Sequence, residues 1–357
     1  MAAADVHRPG RLGDPDMTLG TDPRADPRMV AVLAAMGLDG HGEPATATAD
    51  SSMEELYAWV DEAEPGFEML FDALFADLTP PDGVEASTEV ISGVDDNDIT
   101  LFIHRPAEAD GPMPCVYHIH GGGMVLLSAA GMSYVAWRNE LASRGLVAVG
   151  VEFRNGGGKL GKHPFPAGLN DCASGLQWVA ANKDTLGIST ITVSGESGGG
   201  NLSLATTLKA KREGYLDIID GVFAQCPYIS GAYANPPASL PSLTENNQYF
   251  LDCENMGGIA KAYDLAGPDR NSPLAWPLHA TADDLAGLPP HVISVNELDP
   301  LRDEGLAYYH KLLAAGNSAQ ARTINGTCHA GDVIFRTAMP EVYSATAAAL
   351  RDFAYSV

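Results

Sequence analysis

Ile191-Thr192-Val193-Ser194-Gly195-Glu196-Ser197-Gly198-Gly199 is the stretch on which the fold turns. Its first residues are a short, β-branched apolar run that favours a buried strand, and its last residues set a serine among glycines. A serine on a strained strand-to-helix turn needs neighbours without bulky Cβ substituents, so that Oγ projects above the sheet while the backbone folds tightly beneath it. Ser197 is therefore the candidate nucleophile, with a strand expected from Thr190 to Ser194 and a helix from Gly198 to Arg212. A bare G-x-S-x-G is a weak pattern, so its surroundings decide.

Working outward, short apolar strands alternate with amphipathic helices. Strands are expected at Val116 to His120, Leu146 to Phe153, Ile218 to Gln225, His291 to Val295 and Ala321 to Ile324. Helices are expected at Tyr134 to Arg144, Gly168 to Asn182, Asp303 to Ala315 and Pro340 to Tyr355. This alternation implies an α/β fold: a mostly parallel central sheet flanked by helices on both faces. Thr88 to Val94 and Ile99 to His104, separated by Asp95-Asp96-Asn97-Asp98, read as an antiparallel hairpin at its leading edge.

The chain divides accordingly into an N-terminal arm with cap helices (1–86), a first core segment (87–228), a cap insertion (229–288) and a second core segment (289–357). The arm has one short helix from Pro27 to Met36 and a helical stretch from Ser51 to Leu78, broken at Pro65-Gly66. In the insertion the strand–helix alternation gives way to Pro236-Pro237, Pro241 and Gly257-Gly258, with a helix near Asn255 to Leu265. A structureless loop of that length inside a compact domain is improbable, so it is read as folded over the sheet.

Three further features lie at expected strand ends. His118-Ile119-His120-Gly121-Gly122-Gly123 offers backbone N–H groups without side chains in the way, as an oxyanion requires. Asn296-Glu297-Leu298-Asp299-Pro300-Leu301-Arg302-Asp303-Glu304 puts an acid at a strand's C-terminal end, so Asp299 is the candidate acid, while Asp303 and Glu304 suit the first helical turn as capping charges. Cys328-His329-Ala330-Gly331-Asp332 supplies the candidate base, His329. Glycine run first, then Ser197, Asp299 and His329, is the chain order of a Ser-Asp-His hydrolase of the α/β type.

Composition narrows the partners. The net charge of -25, from 46 acidic against 21 basic residues, disfavours nucleic acid and anionic membrane surfaces. Five scattered cysteines without C-x-x-C spacing argue against a disulfide framework or a zinc site, and so for a reducing, cytoplasmic compartment. There is no apolar export region in the first thirty residues and no twenty-residue apolar run. Neither a metal nor a cofactor is expected.

With these residues in hand, the chain resembles the hormone-sensitive-lipase-like family of α/β-hydrolases. The resemblance rests on His120-Gly121-Gly122-Gly123, Gly195-Glu196-Ser197-Gly198-Gly199, Phe153-Arg154-Asn155 with His163-Pro164-Phe165-Pro166-Ala167-Gly168, and Asp299-Pro300-Leu301-Arg302-Asp303-Glu304. Phe153-Arg154-Asn155, Gly195 to Asn201 and His329 to Phe335 look most like bacterial carboxylesterases of the brefeldin A esterase type. The chain departs from the common family pattern at Glu196 and Gly198, where Asp and Ala are usual, and at His329-Ala330-Gly331, where His-Gly-Phe is usual.

The resemblance implies an α/β-hydrolase fold with a helical cap and hydrolysis of a short- to medium-chain carboxylic ester through an acyl-enzyme. Ser197, Asp299 and His329 would be catalytic, with the oxyanion held by N–H groups of Gly122, Gly123 and Gly198. Glu196 is expected to support this loop from behind, His118 and His120 to stabilise it, and Trp276 to be a candidate pocket wall. Met256, Tyr249, Phe250 and Tyr228 are candidate cap contacts, and Cys328 an inert buried thiol. An amidase or lactamase with the same triad stays open, as does a non-catalytic small-molecule receptor on this fold. The partners expected are a small-molecule ester and, through the arm, a homo-oligomeric neighbour.

Overall fold

The computed structural model describes residues 8–265 and 271–357, so residues 1–7 of the expected arm and 266–270 of the expected insertion lie outside the described residues. In chain order the elements are α1 (Pro27–Ala34), α2 (Met53–Phe75), β1 (Val84–Ser92), β2 (Asp98–Pro106), β3 (Met113–Ile119), α3 (Met132–Ser143), β4 (Val147–Val151), α4 (Ala167–Ala181), α5 (Lys183–Leu186) and β5 (Ile188–Glu196). There follow α6 (Gly198–Glu213), β6 (Gly221–Gln225), α7 (Ser242–Glu245), α8 (Cys253–Tyr263), α9 (Ala282–Leu285), β7 (His291–Asn296), α10 (Arg302–Ala314), β8 (Ala319–Ile324), α11 (Gly331–Ile334) and α12 (Pro340–Ser356).

The strands form one sheet in the order β1-β2-β4-β3-β5-β6-β7-β8. The hairpin β1–β2 is antiparallel and sits at the edge, β2 joins β4 antiparallel, and every later pairing is parallel. β4, β6 and β7 are buried along their whole length, as continuous apolar strands covered on both faces must be. Because β3, β5, β6, β7 and β8 run parallel, the loops after their C-terminal ends open at one rim of the sheet. That geometry brings together segments far apart in sequence.

The helix α2 differs from expectation: it runs unbroken through Pro65. Proline removes one helical hydrogen bond by freeing the carbonyl four residues earlier, but Asp61 and Pro65 are both exposed, so the defect lies on the solvent side of the helix. The helix is held on both sides of the defect. Ser52 and Glu55 form a reciprocal capping box, Leu56, Val60 and Phe75 are buried, and Glu64 accepts the N–H groups of Leu127 and Lys159 at 2.7 Å each. The arm's residues near α1 are tied to the chain's own body: Arg24 bridges Asp22 and Glu245, and Glu245 also pairs with Arg302 at the start of α10.

Candidate active site

Strand β5 ends at Glu196 and α6 begins at Gly198, leaving Ser197 at the corner with φ 58° and ψ -119°. A non-glycine residue there costs on the order of 1–3 kcal/mol and persists only where its surroundings fix it. Here the Ser197 N–H donates to Gln225 O at 3.0 Å, and Ser197 O accepts the Asn201 and Tyr228 N–H groups. The flanking glycines have a steric reason: a Cβ at Gly195 or at Gly199 would overlap the carbonyl oxygen of Ile119, at the end of β3.

The loop after β3 faces this corner. Gly122 and Gly123 adopt φ 100° and 60°, and a Cβ at Gly198 would come within 2.6 Å of Met124 N and 2.8 Å of Gly123 N. The loop's first amide is already engaged, because the Gly121 N–H donates to Glu196 Oε1 at 2.9 Å. The Gly122 and Gly123 N–H groups have no acceptor among the described residues. Glu196 Oε2 lies 3.0 Å from His118 Nε2, so Glu196 supports the loop as expected. His120 stacks on Phe153 with ring centroids 4.3 Å apart, and its Nδ1–H donates to Gly121 O at 2.7 Å. Burial pushes the His120 imidazole down to about 3, which keeps it neutral.

The acid and base arrive from the loops after β7 and β8. His329 Nδ1 is 2.8 Å from Asp299 Oδ2, and both side chains are buried. Asp299 Oδ1 accepts the Leu301 N–H at 2.9 Å, and Asn246 Nδ2 donates to Asp299 O at 3.0 Å, so the acid is fixed from two sides. With Nδ1–H directed to the carboxylate, the imidazole keeps its Nε2 lone pair for a proton from elsewhere. Ser197 and His329 line one cavity of about 930 Å³, mouth included, together with Gly121, Gly122 and Gly123.

The remaining walls are mostly apolar. Phe67 and Phe71 come from α2, Leu251, Met256 and Ile259 from α8 and the residue pair before it, and Leu126, Trp137 and Val333 from the body beneath. Phe250 and Tyr228 also line the cavity, but Tyr249 does not; it is buried elsewhere, its hydroxyl donating to Asp22 Oδ2 at 3.0 Å. Trp276 also differs from expectation. It is fully buried behind the wall, donating Nε1–H to Asp264 at 3.1 Å and packing edgewise on Tyr228 and Tyr263.

Asp303 and Glu304 do not act as simple helix caps. Asp303 Oδ2 accepts the Ser242 N–H at 2.7 Å, whereas Glu304 accepts the Ile229 N–H at 2.6 Å and the Tyr233 hydroxyl at 2.8 Å. Both acids pin the segment between β6 and β7. Sequence reasoning also missed Asn246, for which no local pattern exists, and Phe67 with Phe71, whose four-residue spacing on one helix face was the available signal. Cys226, Asp299 and His329 bring one ligand-type atom each within 4.8 Å of one another. Asp299 and His329 are committed to their mutual hydrogen bond, and burial pushes the Cys226 thiol well up, away from the thiolate that a metal binds.

The model of a family described as alpha/beta hydrolase fold matches residues 116–332. Carboxylesterase NlhH of Mycobacterium tuberculosis (strain ATCC 25618 / H37Rv) is 30% identical over 310 residues, covering 80% of this chain and 93% of its own. An arylesterase of Saccharolobus solfataricus is 30% identical over 72% of this chain and 80% of its own. Among solved structures, a brefeldin A esterase described as a bacterial homologue of human hormone sensitive lipase superposes with a TM-score of 0.94 at 45% identity, covering 97% of this chain and 98% of that one. Esterase Est22 follows the fold with a TM-score of 0.85 at 40% identity over 95% and 99%.

Proposed function

The chain belongs to the alpha/beta hydrolase fold family and is a serine carboxylesterase, and on that premise we propose that Ser197, His329 and Asp299 are its catalytic triad. The observation that carries the assignment is the buried Asp299–His329 hydrogen bond opening on the same cavity as Ser197 at its strained corner. His329 Nε2 takes the Ser197 proton as Oγ attacks the ester carbonyl. Asp299 holds the imidazole tautomer and stabilises the imidazolium, which then protonates the leaving alcohol. Water, deprotonated by the same histidine, releases the acyl group.

The N–H groups of Gly122, Gly123 and Gly198 hold the oxyanion in both steps. What favours this set over Gly121 is that the Gly121 amide is spent on Glu196. Residues 1–86 and 229–288 act as the cap over a core of 87–228 and 289–357, a division supported by α2 and α8 lining the cavity together. Substrates are small esters with short to medium acyl chains, in keeping with the apolar walls. No helix among the described residues is long and apolar enough to cross a membrane. A cytoplasmic setting completes the reading, supported by five unpaired, buried cysteines.

The test is turnover of a p-nitrophenyl ester series by wild type and Ser197→Ala, with mass detection of a phosphonate adduct. Turnover lost in the variant and an adduct mapping to Ser197 are expected. A folded wild-type protein giving neither turnover nor adduct would overturn the proposal.

A further inference from the structure

A second, open chamber of about 860 Å³, mouth included, adjoins the active cavity, with Phe67, Phe250 and Met256 forming walls of both. Its own lining is aromatic and acceptor-rich. Trp59 and the shared Phe67 and Phe250 present rings, while Glu43, Asp252 and Asn255 present oxygens. Of the side-chain donors in the lining, the Gln248 amide gives an N–H to Asp252 Oδ2 at 3.2 Å.

The charges have one sign. Glu196 in the active cavity, Glu43 and Asp252 in the second chamber, and Glu68 and Asp72 in a third beside it are the charged lining residues apart from His329, and no Lys or Arg lines any of the three among the described residues. The nearby cations already have partners. Lys261 on α8 donates to Ala49 O and Ser51 O, Lys159 pairs with Glu68, and Lys162 lies over the Tyr57 ring. Aromatic faces and carboxylates together suit a protonated amine, whose charge both attract.

Building on the esterase reading, we propose that the second chamber lodges an ammonium group, so that the enzyme selects esters of which one portion carries a protonated amine. The probes are two isosteric pairs at neutral pH and low salt. Dimethylaminoethyl butyrate against isopentyl butyrate puts the ammonium on the alcohol. Ethyl dimethylaminobutyrate against its branched hydrocarbon isostere puts it on the acyl group.

The cationic member of one pair should show about tenfold higher kcat/KM, carried by KM, and the advantage should shrink as salt screens the carboxylates. Which pair shows it identifies the portion that enters the chamber. In Glu43→Gln/Asp252→Asn the cationic-to-neutral ratio should fall toward one; Glu43 is exposed, and asparagine can retain the α8 N-cap role of Asp252. No cationic advantage in either pair, or one that survives the double variant or high salt, overturns the inference while leaving the esterase reading standing. Failure to turn over any of the four esters sinks both.

Discussion

Glu196 Oε1 accepts the Gly121 N–H at 2.9 Å, so the residue immediately before the candidate nucleophile fixes the first amide of the glycine loop 75 positions earlier in the chain. The other carboxylate oxygen meets His118 Nε2 at 3.0 Å. One side chain thus sets the spacing between the corner at the end of β5 and the loop at the end of β3, where two adjacent parallel strands deliver them. The proposed oxyanion donors depend on that spacing.

Glu196→Ala should therefore lower kcat by about 10- to 100-fold with little change in KM, because the loop is loosened and the reacting groups remain. Glu196→Gln, which can still accept from Gly121, should recover part of the loss. Steady-state kinetics on a p-nitrophenyl ester, with phosphonate labelling of Ser197 retained in both variants, checks this. Loss of labelling would show that the corner itself had collapsed.

Gly198→Ala places a methyl group against the Met124 and Gly123 amides. Relief requires the glycine loop to move away from Ser197, so kcat should drop by about 100-fold or more while the far-UV circular dichroism stays that of wild type. Unchanged kcat would mean that the loop yields without cost and that the close approach has no catalytic use.

Asp299→Asn should cut kcat by about 10,000-fold, since an amide can donate to Nδ1 and hold the imidazole in the wrong tautomer. The Leu301 N–H still finds an oxygen in that variant. Asp299→Ala should be as inactive and also less stable, because a buried N–H loses its acceptor. Kinetics and denaturant unfolding of the two variants separate the catalytic from the structural loss.

Stability should peak near neutral pH. Burial pushes the Glu304 carboxyl from an ordinary 4.5 up to about 8, so across that window the folded state keeps a proton that the unfolded chain releases, and stability falls as pH rises. Burial pushes His104, His120 and His291 down from 6.5 to about 4, 3 and 4, so below 6.5 the unfolded chain binds protons that the folded state refuses, and stability falls as pH drops. Denaturant melts of Glu304→Gln should lose the decline on the alkaline side and keep the acid one. An unchanged alkaline limb would assign that limb to another group.

The sequence by itself determined the parts whose requirements are local. A serine at positive φ needs glycines beside it, buried parallel strands need apolar runs, and the glycine loop needs amides without side chains, so the corner at Ser197, the strands of the core and the order of Ser197, Asp299 and His329 were legible. What only the tertiary structure decided were partners chosen through space. The sheet order puts Glu196 against Gly121, lets Glu304 reach Ile229 and Tyr233 instead of capping α10, buries Trp276 behind the cavity wall, and carries α2 through Pro65 because both neighbours of the broken hydrogen bond face water. Periodicity reports which face of an element is buried, but not what another element brings to meet it.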